Sequence, residues 1–467
     1  MHTPGMNSFH KAALYLLGAL TVSACTISPL QKNKELVDKS IPNAVIPQQF
    51  EAGKISTKDI AGVDDAWLKQ FNDSELNALV IEALQNNPSV RVIAARRVQS
   101  EALINAAGGG QYPGVGAIGN SGGKVGSSGT GLTGFYIGAN WELDLWGRVR
   151  TTVAGAEQNA KAINADQDAA RLSLIATVAK SVWLARSLQE QAQLAKDNAD
   201  ASQKIADLTQ VREKIGASSA SDVAIAKANA AQAQELALNA ATARDQALRA
   251  VEVLLGRYPK ADLLKTTVLP ALPKPVAPGL PADLLERRPD VIAAEARVNS
   301  AFYLADEKRL ARLPKISLTA GYGYLNSQIF TLINGASTSF GVGANVALPL
   351  FQGGAIEAQI AYQNAEAQAA MANYGKVVLA AFNDVENALS GEASWRERTN
   401  QIHTQLDEQQ RIMRNTEAEF KIGRIDQRQI HQQRIKTNVT DINWYQGQVD
   451  ALSQRVNLYL ALGGSAE

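Results

Sequence analysis

The sequence predicts an α+β membrane protein: a β-barrel shared among several copies of the chain, four strands from each, continued by long helices and built from an internal duplication. Three observations predict it. The two halves echo each other at an offset of about 205 residues. Four short segments alternate apolar with polar residues, and each pair of them is followed by a long Ala/Gln-rich stretch without proline.

The amino terminus carries a basic stretch ending at Lys11, an apolar run from Ala12 to Val22 and the small residues Ser23 and Ala24, which is the pattern of a secretory leader over 1–24. That run is too short to span a bilayer. Cys25, the single cysteine, follows at once, so no disulfide can form within one chain. Val22-Ser23-Ala24-Cys25 resembles a bacterial lipobox, in which Cys25 becomes the lipidated first residue, and Thr26 is similar to the second residue of lipoproteins sent to the outer membrane. Residues 25–72 are expected to be an extended, lipid-anchored segment. Beyond the leader there is no uninterrupted apolar run of about 18 residues, which leaves a β-barrel as the only way to cross a membrane.

The duplication orders the rest. Asn87-Pro88 opens an apolar-periodic segment that ends at Tyr112-Pro113, and Arg288-Pro289 opens its counterpart, which ends at Leu313-Pro314; the proline spacing is 25 in both. Ala156-Glu157-Gln158-Asn159-Ala160-Lys161-Ala162 returns as Ala361-Tyr362-Gln363-Asn364-Ala365-Glu366-Ala367, and Lys214-Ile215-Gly216 returns as Lys421-Ile422-Gly423. Each half, 73–269 and 282–467, therefore reads helix, two strands, long helix, turn, helix. A proline-rich linker over 270–281 joins them.

Strands are expected at 112–122, 132–145, 314–325 and 338–350. In the second, Phe135, Ile137, Ala139, Trp141, Leu143 and Leu145 share one face, while Tyr136, Gly138, Asn140, Glu142 and Asp144 share the other. The fourth places Phe340, Val342, Ala344, Val346, Leu348 and Leu350 together; in the third, Ile316, Leu318, Ala320, Tyr322 and Tyr324 align; the first is glycine-rich. The same alternation suits a soluble sandwich, but the leader and Cys25 favour the barrel. Even the smallest barrels have about eight strands, and an open edge is not tolerated in hydrocarbon, so several chains must share one barrel.

From Gly147 to about Arg212 the only internal glycine is Gly155 and there is no proline. A helix of that length extends about 100 Å. Ala, Gln and Leu with mixed charges suit close helix-on-helix packing, a feature shared by a lipidated coiled-coil scaffold or adhesin. Gly216 and Gly423 mark the turns that end the two long helices. Ser219, Asp222 and Asp426 then supply oxygens able to cap the returning helices.

Lys and Arg (46) balance Asp and Glu (45), so no global field attracts nucleic acid. His403 and His431 are the only histidines beyond the leader, and neither has a Cys or His at metal-ligand spacing, so no metal is expected. No phosphate-cradling loop or catalytic constellation stands out, and neither an enzyme nor a cofactor is expected.

Trp141-Glu142-Leu143-Asp144-Leu145-Trp146-Gly147-Arg148 resembles the strand-to-helix signature of the TolC-like outer-membrane factor family. Leu284-Leu285-Glu286-Arg287-Arg288-Pro289-Asp290-Val291, with Ala294-Glu295, is similar to its second signature. Pro314-Lys315-Ile316-Ser317-Leu318-Thr319-Ala320, Leu348-Pro349-Leu350-Phe351 and Asn457-Leu458-Tyr459-Leu460-Ala461-Leu462-Gly463-Gly464 match in order. The resemblance, strongest to the lipoprotein branch, implies a homotrimer with a twelve-stranded transmembrane barrel standing on a periplasmic α-helical barrel. It also implies an outer-membrane efflux duct that conducts drugs or other toxic small molecules. Its partners would be a periplasmic adaptor (membrane fusion) protein, an inner-membrane resistance-nodulation-division pump and outer-membrane lipid. The same architecture serves type I protein secretion.

By this resemblance Asp426 and Asp222 are candidates to line or lock the periplasmic entrance, with Arg424 and Arg428 pairing with them across subunits; helix capping is the other reading of both carboxylates. Glu142 and Asp144 are expected on the lumen side near the barrel base, with helix packing favoured over a role in selectivity. One stretch departs from the family pattern. Where relatives continue from an Asp or Ser into an apolar, Leu-rich turn and an Ala-Gln pair, this chain has Asp426-Gln427-Arg428-Gln429-Ile430-His431-Gln432-Gln433.

Overall fold

Two halves of one design fold in the same order. In a computed structural model, residues 33–52, 67–121, 132–262, 264–276, 279, 281–327 and 337–464 are described. The leader 1–24 and Cys25 lie outside them. The elements are α1 (Asn33–Ser40), a 3-10 turn (Trp67–Phe71), α2 (Ser74–Asn86), α3 (Pro88–Gly109), β1 (Gly114–Ser121), β2 (Leu132–Leu143), α4 (Arg148–Lys214) and α5 (Ala220–Leu254). The second half follows with α6 (Pro281–Arg287), α7 (Pro289–Leu310), β3 (Lys315–Ser327), β4 (Ser337–Ala347), α8 (Ala355–Lys421) and α9 (Gln427–Ala461). Corresponding helices match residue for residue in length: α3 and α7 have 22, α4 and α8 have 67, α5 and α9 have 35.

Where the chain differs from expectation, the cause is local. The segment 25–72 is not wholly extended: α1 forms because Leu36 and Val37 are buried, and a short amphipathic helix holds when its apolar face finds a partner. A separate short helix, α2 or α6, precedes the helix opened by Pro88 or Pro289. Proline disfavours the helical region for the residue before it, and Asn87 adopts φ −64°, ψ 124°. Pro281 begins α6 instead of ending the linker. β4 stops at Ala347, two residues before Pro349, which has no N–H for a ladder.

The chain forms two compact units. Among the described residues, the first comprises those up to Asn43 and those within Arg96–Asn164 and Ala293–Lys376. Its sheet is antiparallel in the order β1-β2-β3-β4. The register stacks apolar residues in rows: Ala117, Ile137, Tyr322 and Phe340; Val115, Ala139, Ala320 and Val342; then Trp141, Leu318 and Ala344. That face is exposed, with Phe340 at 72% and Val342 at 73%. The opposite face carries Gly116, Gly138, Gly321 and Gly341 in one row and Gly114, Asn140, Thr319 and Gly343 in the next. Among the described residues β1 and β4 each have one unpaired edge.

The strand-to-helix signature ties this sheet to its helices. Asp144 accepts from the backbone N–H groups of Val149 and Arg150, both at 2.9 Å, and so caps α4. Arg148 donates to both oxygens of Glu142, at 2.9 and 3.0 Å, and to Glu307 on α7 at 3.0 Å. Lys315, at the start of β3, lies 2.9 Å from Glu142. The indole N–H groups of Trp141 and Trp146 donate to the carbonyls of Gln111 and Pro314. The expectation that Glu142 and Asp144 serve helix packing is what this geometry delivers.

The second unit comprises Ala44–Ala95, Ala165–Ile292 and Val377–Glu467. Trp67 stacks on Tyr459 with ring centroids 5.3 Å apart, and Phe71 lies 4.8 Å from Trp183. Arg186, 1% exposed, donates to Asp73, to Glu75 at 2.9 Å and to the carbonyl of Val268. The residue before each repeat-opening proline reaches the end of a returning helix. Asn87 donates to the carbonyl of Leu254 at 2.8 Å, and Arg288 donates to that of Ala461 at 3.3 Å while also holding Asp290 and Asp384.

Candidate functional site

The two turns between long and returning helices lie within the second unit and share one construction. Gly216 and Gly423 both have φ +73°, a left-handed conformation that favours glycine. The amides of Ala217 and Arg424 then donate back to the carbonyls of Arg212 and Glu419, at 2.8 and 3.0 Å, closing the last helical turn. Ser219 opens α5 through a reciprocal capping box: Asp222 N–H donates to Ser219 Oγ, and Ser219 N–H donates to Asp222 Oδ2. Asp426 opens α9, accepting from Arg428 N–H at 2.9 Å, with its own N–H donating to Gln429 Oε1.

Capping does not exhaust Asp426. The Arg428 guanidinium donates to its Oδ2 at 2.8 Å, and Arg212, from the end of α4, lies 3.6 Å from the same oxygen. Hydrogen bonding to Arg428 holds the Asp426 carboxyl below the usual carboxylate range. The backbone N–H of Ser219 does the same for Asp222, with a smaller contribution from the charge of Arg428. Asp222, Arg212, Arg428 and Lys436 line an open groove of about 830 Å³.

Within one chain Arg428 pairs with Asp426, because a guanidinium two residues after the cap folds back onto it. Arg424 makes no side-chain ion pair among the described residues. Arg212 was not anticipated: it is more than 200 positions from Asp426, and only its place at the end of a long helix, beside a turn glycine, hints at its role. Among the described residues no group of three His, Cys, Asp or Glu stands where it could hold a metal ion. The arrangement offers ion pairs that can be made or broken.

Residues 79–257 and 280–464 match the family described as outer membrane efflux protein. The chain belongs to that family. This outer-membrane efflux protein is 27% identical over 474 residues to the probable efflux pump outer membrane protein TtgC of Pseudomonas putida, covering 96% of this chain and 94% of the relative. Its fold matches the outer-membrane channel OprN with a TM-score of 0.78 at 25% identity, over 94% of this chain and 99% of that one. It also matches the CmeC outer membrane channel of Campylobacter jejuni with a TM-score of 0.82 at 22% identity, covering 94% and 95%. The α+β organisation expected from the sequence, with four strands and long helices in each chain, is the fold these channels share.

Proposed function

We propose that three copies of the chain close a twelve-stranded barrel and that the assembly is the passive exit duct of a tripartite efflux system, carrying drugs or other toxic small molecules to the exterior. The observation that carries this reading is the open four-stranded sheet with one exposed apolar face. Its edges need partners, its apolar face needs hydrocarbon, and no helix among the described residues is long and apolar enough to cross a membrane. A periplasmic adaptor and an inner-membrane resistance-nodulation-division pump would deliver the cargo. Lipidation at Cys25 would anchor the mature chain, since several acyl chains bury methylenes at about 0.8 kcal/mol each. Conduction makes and breaks no covalent bond.

At the tips, Asp426 held by Arg428 and Arg212 acts as a latch on the entrance, with Asp222 facing the same groove; Arg424 remains a candidate for a partner on a neighbouring copy. The deciding experiment is single-channel conductance in planar bilayers, with the oligomer's mass measured in the same detergent. Discrete conductance from a trimer supports the duct, and a non-conducting monomer sinks it. Asp426→Asn is expected to raise conductance and alter drug sensitivity; a variant that changes neither removes the latch.

A further inference from the structure

His431 lies on α9 just past Asp426, in the polar run where the chain departs from the family pattern. Only 5% of the residue is exposed, and neither ring nitrogen reaches solvent or a hydrogen-bond partner. A buried imidazole left in that state is unusual, because desolvated polar nitrogens are nearly always paired. Polar contacts continue along the same helix. Asn438 donates to Asn198 at 2.9 Å, and Gln433 donates to Gln409 at 2.8 Å, where close apolar packing would be expected in a rigid bundle.

Residues of α4, α8 and α9, His431 among them, line an open groove of about 470 Å³, onto which neither ring nitrogen is exposed. The charged groups that line it are Asp197, Asp200 and Lys204 from α4, Glu417 from α8 and Arg434 from α9. Asp197 accepts from Gln193, whereas Asp200, Glu417, Lys204 and Arg434 make no hydrogen bond or ion pair among the described residues. Burial, and then the positive charges of Lys204 and Arg434, hold the imidazole below its ordinary pKa.

We propose that His431 is a proton-driven switch in the packing of α9. Neutral, its ring is sealed between α4, α8 and α9. Protonated, it has two N–H groups and a charge that the sealed position cannot satisfy, so it swings into the groove, where the carboxylates of Asp197, Asp200 and Glu417 accept them. The first turns of α9 then loosen from α4 and α8, next to the ion pairs of Asp426. The swung-out ring binds the proton more tightly than the sealed one. The sealed state is therefore favoured at neutral pH and is lost as pH falls below the ordinary histidine value, by at most about tenfold per pH unit for one proton per chain.

The test uses the full chain in detergent with histidines labelled at Cε1, the His431 resonance being assigned by its loss in His431→Asn. The expected titration midpoint lies below that of free histidine and falls further in Glu417→Gln or Asp200→Asn, which remove acceptors for the protonated ring. A midpoint at the free-histidine value, or one indifferent to both substitutions, overturns the switch. A second readout rests on the channel reading: single-channel open probability at about pH 5.5 is expected several-fold above that at about pH 7.5. His431→Asn and His431→Leu should abolish that rise while keeping the wild-type oligomer mass, and a rise that survives in both refutes the switch. An intact oligomer that conducts at neither pH counts against the duct itself, and the titration then decides the switch alone.

Discussion

Arg186 shows how one side chain can organise a unit. It is 1% exposed and its partners Asp73 and Glu75 are largely buried, so removing the guanidinium strands two carboxylates away from water. Arg186→Met should cost about 3 kcal/mol, read as a lowered denaturation midpoint of the detergent-solubilised protein. An unchanged midpoint would mean that the pair is solvated in the folded chain. Asp426 makes the opposite case, half-exposed and charged. Its carboxyl is held below the usual range by Arg428, so its contribution is fully present above that range and is lost as pH falls through the depressed value. Asp426→Asn should therefore remove part of the acid sensitivity of the tip, measured by hydrogen exchange of the first turn of α9.

The long helices end where glycine allows the backbone to turn left. Placing a side chain at φ +73° costs about 1–2 kcal/mol, more for a β-branched residue. Gly423→Val should fray the end of α8 and speed amide exchange around 420–428, whereas a substitution at exposed Gln427 should not. The sheet has its own close approach. A Cβ at Gly321 would sit 1.9 Å from Tyr136 Oη, because the tyrosine ring lies flat over Gly138, Gly321 and Gly323. Gly321→Ala should lower the yield of folded protein, and adding Tyr136→Ala should restore it. Failure of the rescue would show that the glycine serves strand conformation and not ring packing.

Four strands with unpaired edges cannot be the final form of this sheet in hydrocarbon, and closure across copies is the physical remedy. Assembly should then be inseparable from the folding of the strands. Conditions that split the oligomer should cost β signal in circular dichroism before the helical signal falls. A monomer that keeps its full β content would argue against a shared barrel.

The duplication was legible because its motifs recur in order about 205 residues apart, and the first long helix, the strand alternation and the turn glycines because each depends on neighbours within a few residues. Periodicity reports which face is apolar, proline and glycine report where a helix must stop, and Ser219 or Asp426 report where the next begins. The helix within 25–72 was not legible, because Leu36 and Val37 are too few to signal a helix until a surface buries them. At the tips, local chemistry offered capping as one reading of Asp222 and Asp426, and Asp426 caps α9 while Asp222 completes the box of the cap Ser219; it could not pair Asp426 with Arg212, which approaches only because α4 and α9 are packed side by side. Nor could it tell that His431 is buried while Arg424 is exposed. Sequence alone decided the repeated order of strands, long helices and turns, since these follow from short-range backbone and side-chain preferences; the short helix at 33–40, which charges meet, and which imidazole nitrogens are kept from water depend on contacts that exist only once the helices are packed.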